Sequence, residues 1–138
     1  MTTPSIDQEF LKSLTVLYVE DEDDIFEPGV RLISRYCATL LTARNGQEGL
    51  DVFIARSPDL IITDIKMPTM DGLQLLQEIR KTGTKTDVIL VTAYGEVESY
   101  LKAMSLGAAE YINKPIRIKE LKRIVHKVLT EQRARSGN

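Results

Sequence analysis

The sequence predicts an α/β fold in which a doubly wound parallel sheet lies between two layers of helices. Three observations predict it: apolar runs of strand length recur, helix-period segments separate them, and two runs, LIIT and VILV, are apolar without interruption. Strands without polar alternation are covered on both faces, which is typical of a parallel sheet between helices. A length of 138 residues fits a single domain of this kind.

Five strands and five helices alternate in the predicted order. The predicted strands are TVLYVE (15–20), ATLLTA (38–43), PDLIITD (58–64), TDVILVTA (86–93) and a fifth that ends in AEYINKP (109–115). The predicted helices lie within 24–36, 45–56, 71–82, 96–107 and 118–133. We expect residues 1–13 to be an N-terminal extension, 14–131 the folded domain, and 132–138 a frayed tail or the start of a linker.

Two helices carry additional predictions. Apolar residues in the last helix recur at helical spacing and predict a buried stripe of Ile118, Leu121, Ile124, Val125, Val128 and Leu129. In the first helix, Pro28 removes a backbone N–H and crowds the preceding turn. We therefore expect that helix to be delayed or kinked.

Composition excludes several function classes. A formal net charge of -2 and a pI near 5.5 give no basic surface for direct nucleic-acid binding. No apolar run approaches the roughly 18 residues of a membrane span, and the N-terminus does not resemble a signal peptide. The single cysteine, Cys37, lies in an apolar segment and predicts a small buried side chain. These features predict a cytoplasmic protein without membrane contact.

Polar residues end four of the five predicted strands. The first strand ends in Glu20-Asp21, the third in Asp64, the fourth in Thr92-Ala93 and the fifth in Lys114-Pro115. The carboxyl ends of parallel strands share one edge of the sheet, where open α/β folds bind ligands. Three carboxylates, a hydroxyl and an ammonium at one edge can hold a hard divalent cation together with a phosphoryl group.

The segments VEDE, ITDIKMPTMDG, LVTA and YINKP, each at the expected strand end, resemble the receiver domain of two-component response regulators. The resemblance covers about residues 15–129 and implies a flavodoxin-like (βα)5 fold with strand order 2-1-3-4-5. It implies that Asp64 accepts a phosphoryl group from a histidine kinase or a histidine phosphotransfer protein. The chain would then catalyse only its own phosphorylation and slow dephosphorylation.

The resemblance also assigns a metal site. Asp21 and Asp64 would bind Mg²⁺ or Mn²⁺ directly, the backbone carbonyl of Lys66 would be a third protein ligand, and Glu20 would act through water. Tyr94, two positions after Thr92, is bulky, and Lys66, two positions after Asp64, is basic. We expect both to crowd the water that would hydrolyse the phosphorylated form and so to slow this reaction.

Further roles concern phosphate binding and output. The resemblance implies that Thr92 bonds a phosphoryl oxygen, that Lys114 pairs with the acceptor carboxylate or its phosphate, and that the Lys114-Pro115 peptide is cis. Tyr111 resembles a switch aromatic coupled to Thr92, with a half-buried strand aromatic as the alternative. The surface of the fourth helix, fifth strand and fifth helix would bind an output domain or protein, or a second copy in a homodimer.

Other residues of the motifs have structural explanations. Glu22, Asp23 and Asp24 lie in the first turn of a helix, where acidic side chains interact favourably with the helix dipole. Pro68 is read as loop geometry and Asp71 as a helix cap.

Two other functions remain open at this point. One is an aspartate-based phosphohydrolase of the haloacid dehalogenase type, because Asp21-Glu22-Asp23 is a D-x-D after a strand. The other is an interaction module of the same fold that is never phosphorylated.

Overall fold

The computed structural model describes residues 13–92 and 97–136, and within them five strands alternate with five α-helices. The N-terminal extension predicted for residues 1–13 lies almost wholly outside the described residues. The elements are β1 (Thr15–Val19), α1 (Asp23–Ile33), β2 (Thr39–Ala43), α2 (Gly46–Arg56), β3 (Leu60–Asp64), α3 (Gly72–Lys81), β4 (Asp87–Thr92), α4 (Val97–Ser105), β5 (Glu110–Asn113) and α5 (Ile118–Ser136). A 3-10 turn, Ser34–Tyr36, follows α1.

The five strands form one parallel sheet in the order β2-β1-β3-β4-β5, which confirms the predicted topology. Strand order reverses at β1 and β3, so the loops that follow these two neighbours leave on opposite sides of the sheet and open a crevice between them. Asp64 pairs in register with Val91, and Thr92 with Asn113. The predicted strand-end residues therefore share the carboxyl edge of the sheet.

Two apolar layers cover the sheet, one on each face. Alternate residues of β3 show this division, because Leu60 and Ile62 pack against α1 and α5 while Ile61 packs against α2, α3 and α4. The predicted stripe on α5 is confirmed for its described side chains, all of them buried: Leu121, Ile124, Val125, Val128 and Leu129. Cys37 is buried in the same layer, as predicted.

Helix α1 contains Pro28 without the expected delay. It begins at Asp23, and its range continues through Pro28 to Ile33. Proline costs this helix one N–H, the donor that would have bonded the carbonyl of Asp24. The following residue, Gly29, lets α1 approach the sheet closely, because a Cβ there would lie 2.2 Å from the Tyr18 hydroxyl oxygen.

Helix α5 runs three residues past its predicted end at Arg133, because its last turns are bonded to the opposite edge of the sheet from the strand-end acids. Gln132 donates from Nε2 to the carbonyl oxygen of Asp59 at 3.0 Å. Arg135 donates from Nη2 to both carboxylate oxygens of Asp87, at 3.2 and 2.9 Å. In the described part of the chain, no helix is long and apolar enough to cross a membrane.

Candidate functional site

Four carboxylates and one ammonium converge at the carboxyl edge of the sheet. Carboxylate oxygens of Glu20, Asp21, Glu22 and Asp64 all lie within 4.8 Å of one another. The ammonium of Lys114 lies 2.9 Å from Oδ2 of Asp64 and 3.5 Å from Oε1 of Glu20. The structure thus brings together the acids and the lysine that the strand-end pattern predicts to meet.

The backbone around Asp64 is buried, hydrogen-bonded and closely packed. Asp64 is the last residue of β3 and only 2% exposed, and the next residue, Ile65, donates from its backbone to the carbonyl of Val91 at 2.9 Å. Gly72, the first residue of α3, lies so close that a Cβ would be 2.2 Å from the Asp64 carbonyl oxygen. Only glycine lets α3 begin this close to the end of β3.

The loop between Asp64 and α3 ends in the predicted cap. Asp71 accepts from the backbone of Gln74 at 2.8 Å, and the Gln74 side chain accepts from the backbone of Asp71 at 2.9 Å. This reciprocal pair is a capping box, which satisfies two donors that the helix leaves free. Lys66, whose carbonyl is a predicted metal ligand, lies in this loop with an exposed side chain.

Lys114 is presented to the site by the end of β5. Its backbone N–H donates to the carbonyl of Thr92 at 2.7 Å, and the Lys114-Pro115 peptide is cis, as the family resemblance implied. Besides Asp64 and Glu20, its ammonium lies 3.6 Å from Oε1 of Glu22. One cation is therefore shared among three carboxylates.

Burial and like charge disturb the titration of these groups. Burial, reinforced by the charges of Asp64 and Asp21, raises the pKa of Glu20 to about 7. Burial also raises the pKa of Asp64, and its hydrogen bond to Lys114 offsets that only in part. Burial alone would lower the pKa of Lys114, but the neighbouring carboxylates, above all Asp64, outweigh it and raise that pKa. The site is thus short of positive charge.

The donor set fits a hard divalent cation. Oδ1 of Asp21 is buried and has no hydrogen-bond partner among the described residues. The four converging side chains all offer oxygen, which Mg²⁺ and Mn²⁺ prefer, and none offers sulfur or imidazole nitrogen. A cation bound there would satisfy the orphaned oxygen and reduce the repulsion among the acids.

The two predicted switch residues lie on neighbouring strands. Thr92 is fully buried at the end of β4. Tyr111 in β5 is partly buried and meets the ring of Tyr100 from α4 edge to face, with centroids 5.0 Å apart. Coupling between Thr92 and Tyr111 stays a prediction, and Tyr94 lies outside the described residues.

Sequence reasoning missed two residues of the site. Glu22 was assigned to the helix dipole alone, but as the N-cap of α1 it places its carboxylate in the cluster and donates from its backbone to Oε2 of Glu20 at 3.1 Å. Arg44, directly after β2, donates to the carbonyl oxygens of Glu20 and Asp21. The signal for Arg44 was available, because the end of β2 lies at the same edge as the other strand ends.

Comparison with known proteins agrees with this geometry. The family profile described as the response regulator receiver domain matches residues 16–126. The chain belongs to this receiver family. An acidic pocket of Glu20, Asp21 and Asp64 is what a receiver uses for its metal, and the family normally signals rather than catalyses.

Relatives of this receiver include regulatory proteins of greater length. It is 40% identical over 113 residues to the "Probable C4-dicarboxylate response regulator DctR" of Priestia megaterium, covering 80% of this chain and 50% of that protein. It is 38% identical over 117 residues to the "Regulatory protein AtoC" of Escherichia coli, covering 85% of this chain and 25% of that protein. The receiver thus spans about half or a quarter of these relatives.

Solved structures show the same fold. A receiver domain protein from Clostridium thermocellum superposes with a TM-score of 0.80 at 31% identity, covering 88% of this chain and 98% of the other.

Receiver membership and the site geometry both oppose the dehalogenase-type alternative. That enzyme would need the second aspartate of its D-x-D, Asp23, to face the pocket. Here the Asp23 side chain is 89% exposed and pairs with Arg44.

Proposed function

We propose that this receiver takes a phosphoryl group from a phosphohistidine, on a histidine kinase or a histidine phosphotransfer protein, onto the carboxylate of Asp64. The observation that carries the proposal is the 2.9 Å contact between Lys114 and a buried Asp64 inside a cluster of carboxylates. An aspartate attacks phosphorus without a general base. The bond from phosphorus to the imidazole nitrogen breaks as the acyl phosphate forms.

The residues around Asp64 have distinct roles in this proposal. Asp21, Asp64 and the carbonyl of Lys66 would hold Mg²⁺ or Mn²⁺, with Glu20 acting through water. The cation would neutralise oxygen charge on the transferring group. Lys114 pairs with the carboxylate of Asp64 or with its phosphate, and Thr92 donates its hydroxyl to a phosphoryl oxygen.

A groove beside the site supports docking of the phosphodonor. It has a volume of about 450 Å³, and its lining is mainly apolar side chains of α1 and the segment after β5: Ile25, Pro28, Leu32, Pro115 and Ile116. Lys114 forms part of the same lining. An apolar helix face seated here would bring its histidine close to the acceptor.

The output surface is assigned to α4, β5 and α5. Tyr100, Leu101 and Met104 of α4 are exposed apolar side chains, and Leu101 is 62% exposed. Isolated exposed apolar residues are common, but three on one short helix suit a partner surface. We propose that phosphorylation draws Thr92 toward the site, that Tyr111 follows, and that this face changes its affinity for an output domain, an output protein or a second copy.

Phosphorylation by a small donor tests the proposal without knowledge of the kinase. The purified chain is incubated with acetyl phosphate and Mg²⁺, and intact mass is followed over time. We expect one phosphoryl group on the parent and on Asp51→Asn, an exposed control on α2, and none on Asp64→Asn.

Two outcomes would reject the proposal. An unmodified parent would favour the interaction module that is never phosphorylated. Equal labelling of Asp64→Asn would place the acceptor elsewhere.

A further inference from the structure

Arg44 contacts the acidic loop, residues 20–23, at three points. Its Nε donates to the carbonyl oxygen of Glu20 at 3.0 Å, and its Nη2 donates to the carbonyl oxygen of Asp21 at 3.3 Å. Nη2 also donates to Oδ1 of Asp23. One guanidinium from the end of β2 therefore spans the turn that leads from β1 into α1.

The guanidinium is itself held in place. Its central carbon lies 4.2 Å from the centroid of the Phe26 ring, a cation–π contact. Phe26 stacks in turn on the buried Tyr18, with centroids 6.1 Å apart and planes 15° apart. The backbone N–H of Arg44 donates to Oε1 of Glu48 at 3.0 Å. The donor group thus rests on the core and does not depend on a ligand for its position.

These contacts separate the acids of the loop into two groups. Arg44 binds the backbone oxygens of Glu20 and Asp21, while their carboxylates take part in the cluster with Asp64. It binds the carboxylate of Asp23, which does not belong to that cluster. The carbonyl oxygens of Glu20 and Asp21 and the carboxylate of Asp23 therefore face Arg44. The carboxylates of Glu20 and Asp21 face the site.

We propose that Arg44 is a positioning residue for the divalent-cation site, which it serves by bridging the Glu20 and Asp21 carbonyls so that both carboxylates face Asp64. The inference rests on the proposed function, because it concerns the cation of that site. A planar guanidinium has donors for two carbonyls at once, whereas a lysine ammonium in its place acts as a point charge.

Cation binding separates this role from a simple charge effect. Binding is measured for the full chain by titration with Mn²⁺, with free Mn²⁺ read by electron paramagnetic resonance. Removal of a positive charge beside five acids would by itself tighten binding in Arg44→Gln, and Arg44→Lys would by itself change nothing. Positioning instead predicts weaker binding in both variants, by about tenfold, the lower end of the range for groups that orient metal ligands.

A charge-matched variant and a folding check serve as controls for the Arg44 variants. Arg56→Gln removes an equal charge from an exposed position at the end of α2 and should bind Mn²⁺ as the parent does. Circular dichroism confirms that each variant is folded. Equal or tighter binding in Arg44→Gln, or parent-like binding in Arg44→Lys, would overturn the inference.

Two further measurements cover the remaining cases. If the Arg44 variants do not fold, Phe26→Leu removes the ring beneath the guanidinium, together with its stack on Tyr18, and should weaken Mn²⁺ binding to a lesser extent. Parent-like affinity in that variant would then overturn the role of Arg44. A parent that itself fails to bind Mn²⁺ would reject the proposed function, whereas a parent and variants that bind equally well reject only the role of Arg44.

Discussion

At the residue scale, Glu20 illustrates that a carboxylate placed for cation binding lowers the stability of the metal-free protein. Its side chain is 1% exposed, next to Asp21 and Asp64, and burial first among several causes raises its pKa from 4.5 to about 7. The folded protein therefore keeps a proton on Glu20 at pH values where the unfolded chain has released it. Above this range the folded chain must carry a buried charge, which the backbone N–H of Glu22 and the ammonium of Lys114 offset only in part.

The stability of the metal-free protein should accordingly fall as pH rises. The folded state binds more protons than the unfolded state between pH 4.5 and about 7, so the free energy of unfolding decreases through this window. For Glu20 alone the upper limit of this loss is roughly 3 to 4 kcal/mol, at about 1.4 kcal/mol per pKa unit. The raised pKa of Asp64 acts in the same direction. Lys114 stays protonated throughout, because its pKa is raised from 10.5.

Urea unfolding in chelator-treated buffer at a series of pH values measures this effect. Glu20→Gln is the matched variant, since it keeps the shape of the side chain and removes the titration. We expect it to be more stable than the parent near the upper end of the series and to show a shallower slope. An identical slope in both proteins would contradict the assignment.

At the element scale, the end of α5 depends on contacts that are distant in sequence. Asp87 is a buried carboxylate at the start of β4, and burial, opposed by Arg135, raises its pKa. The side chain of Arg135 is 60% exposed, so its ion pair is partly screened by solvent. The pair nevertheless gives the buried carboxylate of Asp87 two hydrogen bonds from a cation, in addition to the charge of Arg80 nearby.

Arg135→Ala should therefore destabilise the protein by about 1 kcal/mol, at the upper end for exposed pairs because a buried acceptor loses its donors. Thermal or urea unfolding measures the loss. Lys122→Ala, an exposed position on the same helix, serves as the control and should lie close to the parent. Equal stability of all three proteins would show that the Arg135–Asp87 contact does not hold the helix end.

The sequence predicted elements whose signal is local. The five strands, their order through the family resemblance, and the stripe on α5 are confirmed because buried strands and amphipathic helices leave a mark in the apolar pattern itself. The extra turn of α5 was missed, since its cause is the tertiary bond from Arg135 to Asp87. Pro28 predicts a delayed or kinked α1, but the helix begins at Asp23 without delay and packs Gly29 against Tyr18.

The site also has features that the sequence predicts and features that depend on tertiary structure. The convergence of Asp64 and Lys114 followed from the rule that parallel strands end at one edge. Glu22 could not be separated from its acidic neighbours by sequence alone, because its place in the cluster depends on the turn into α1. The division of the chain at residues 13 and 131, and the individual roles of the site residues, stay predictions.

At the scale of the whole molecule, the site lies at the carboxyl edge of the sheet, whose two faces are covered by the two apolar layers. The proposed switch leads from there through Thr92 and Tyr111 to α4, and the contact between Tyr111 and Tyr100 is the described part of that path. Such a path shifts the population of two conformations of the α4 surface.

Tyr111→Ala should uncouple the site from that surface. Amide NMR shifts are recorded before and after addition of beryllofluoride and Mg²⁺. In the parent and in Tyr36→Ala, a control in the turn after α1, we expect changes both around Asp64 and along 97–105. In Tyr111→Ala the changes around Asp64 should persist while those along 97–105 become much smaller. Equal changes along 97–105 in all three proteins would reject this route.

Mapping the phosphorylated residue in the native sequence tests the central claim most directly. The chain is treated with acetyl phosphate in the presence or absence of Mg²⁺, the acyl phosphate is trapped by borohydride reduction, and the modified residue is located by peptide mass spectrometry. The account predicts a reduced residue at Asp64, formed only when the divalent cation is present. Modification at another aspartate, or at Asp64 to the same extent without the cation, would contradict it.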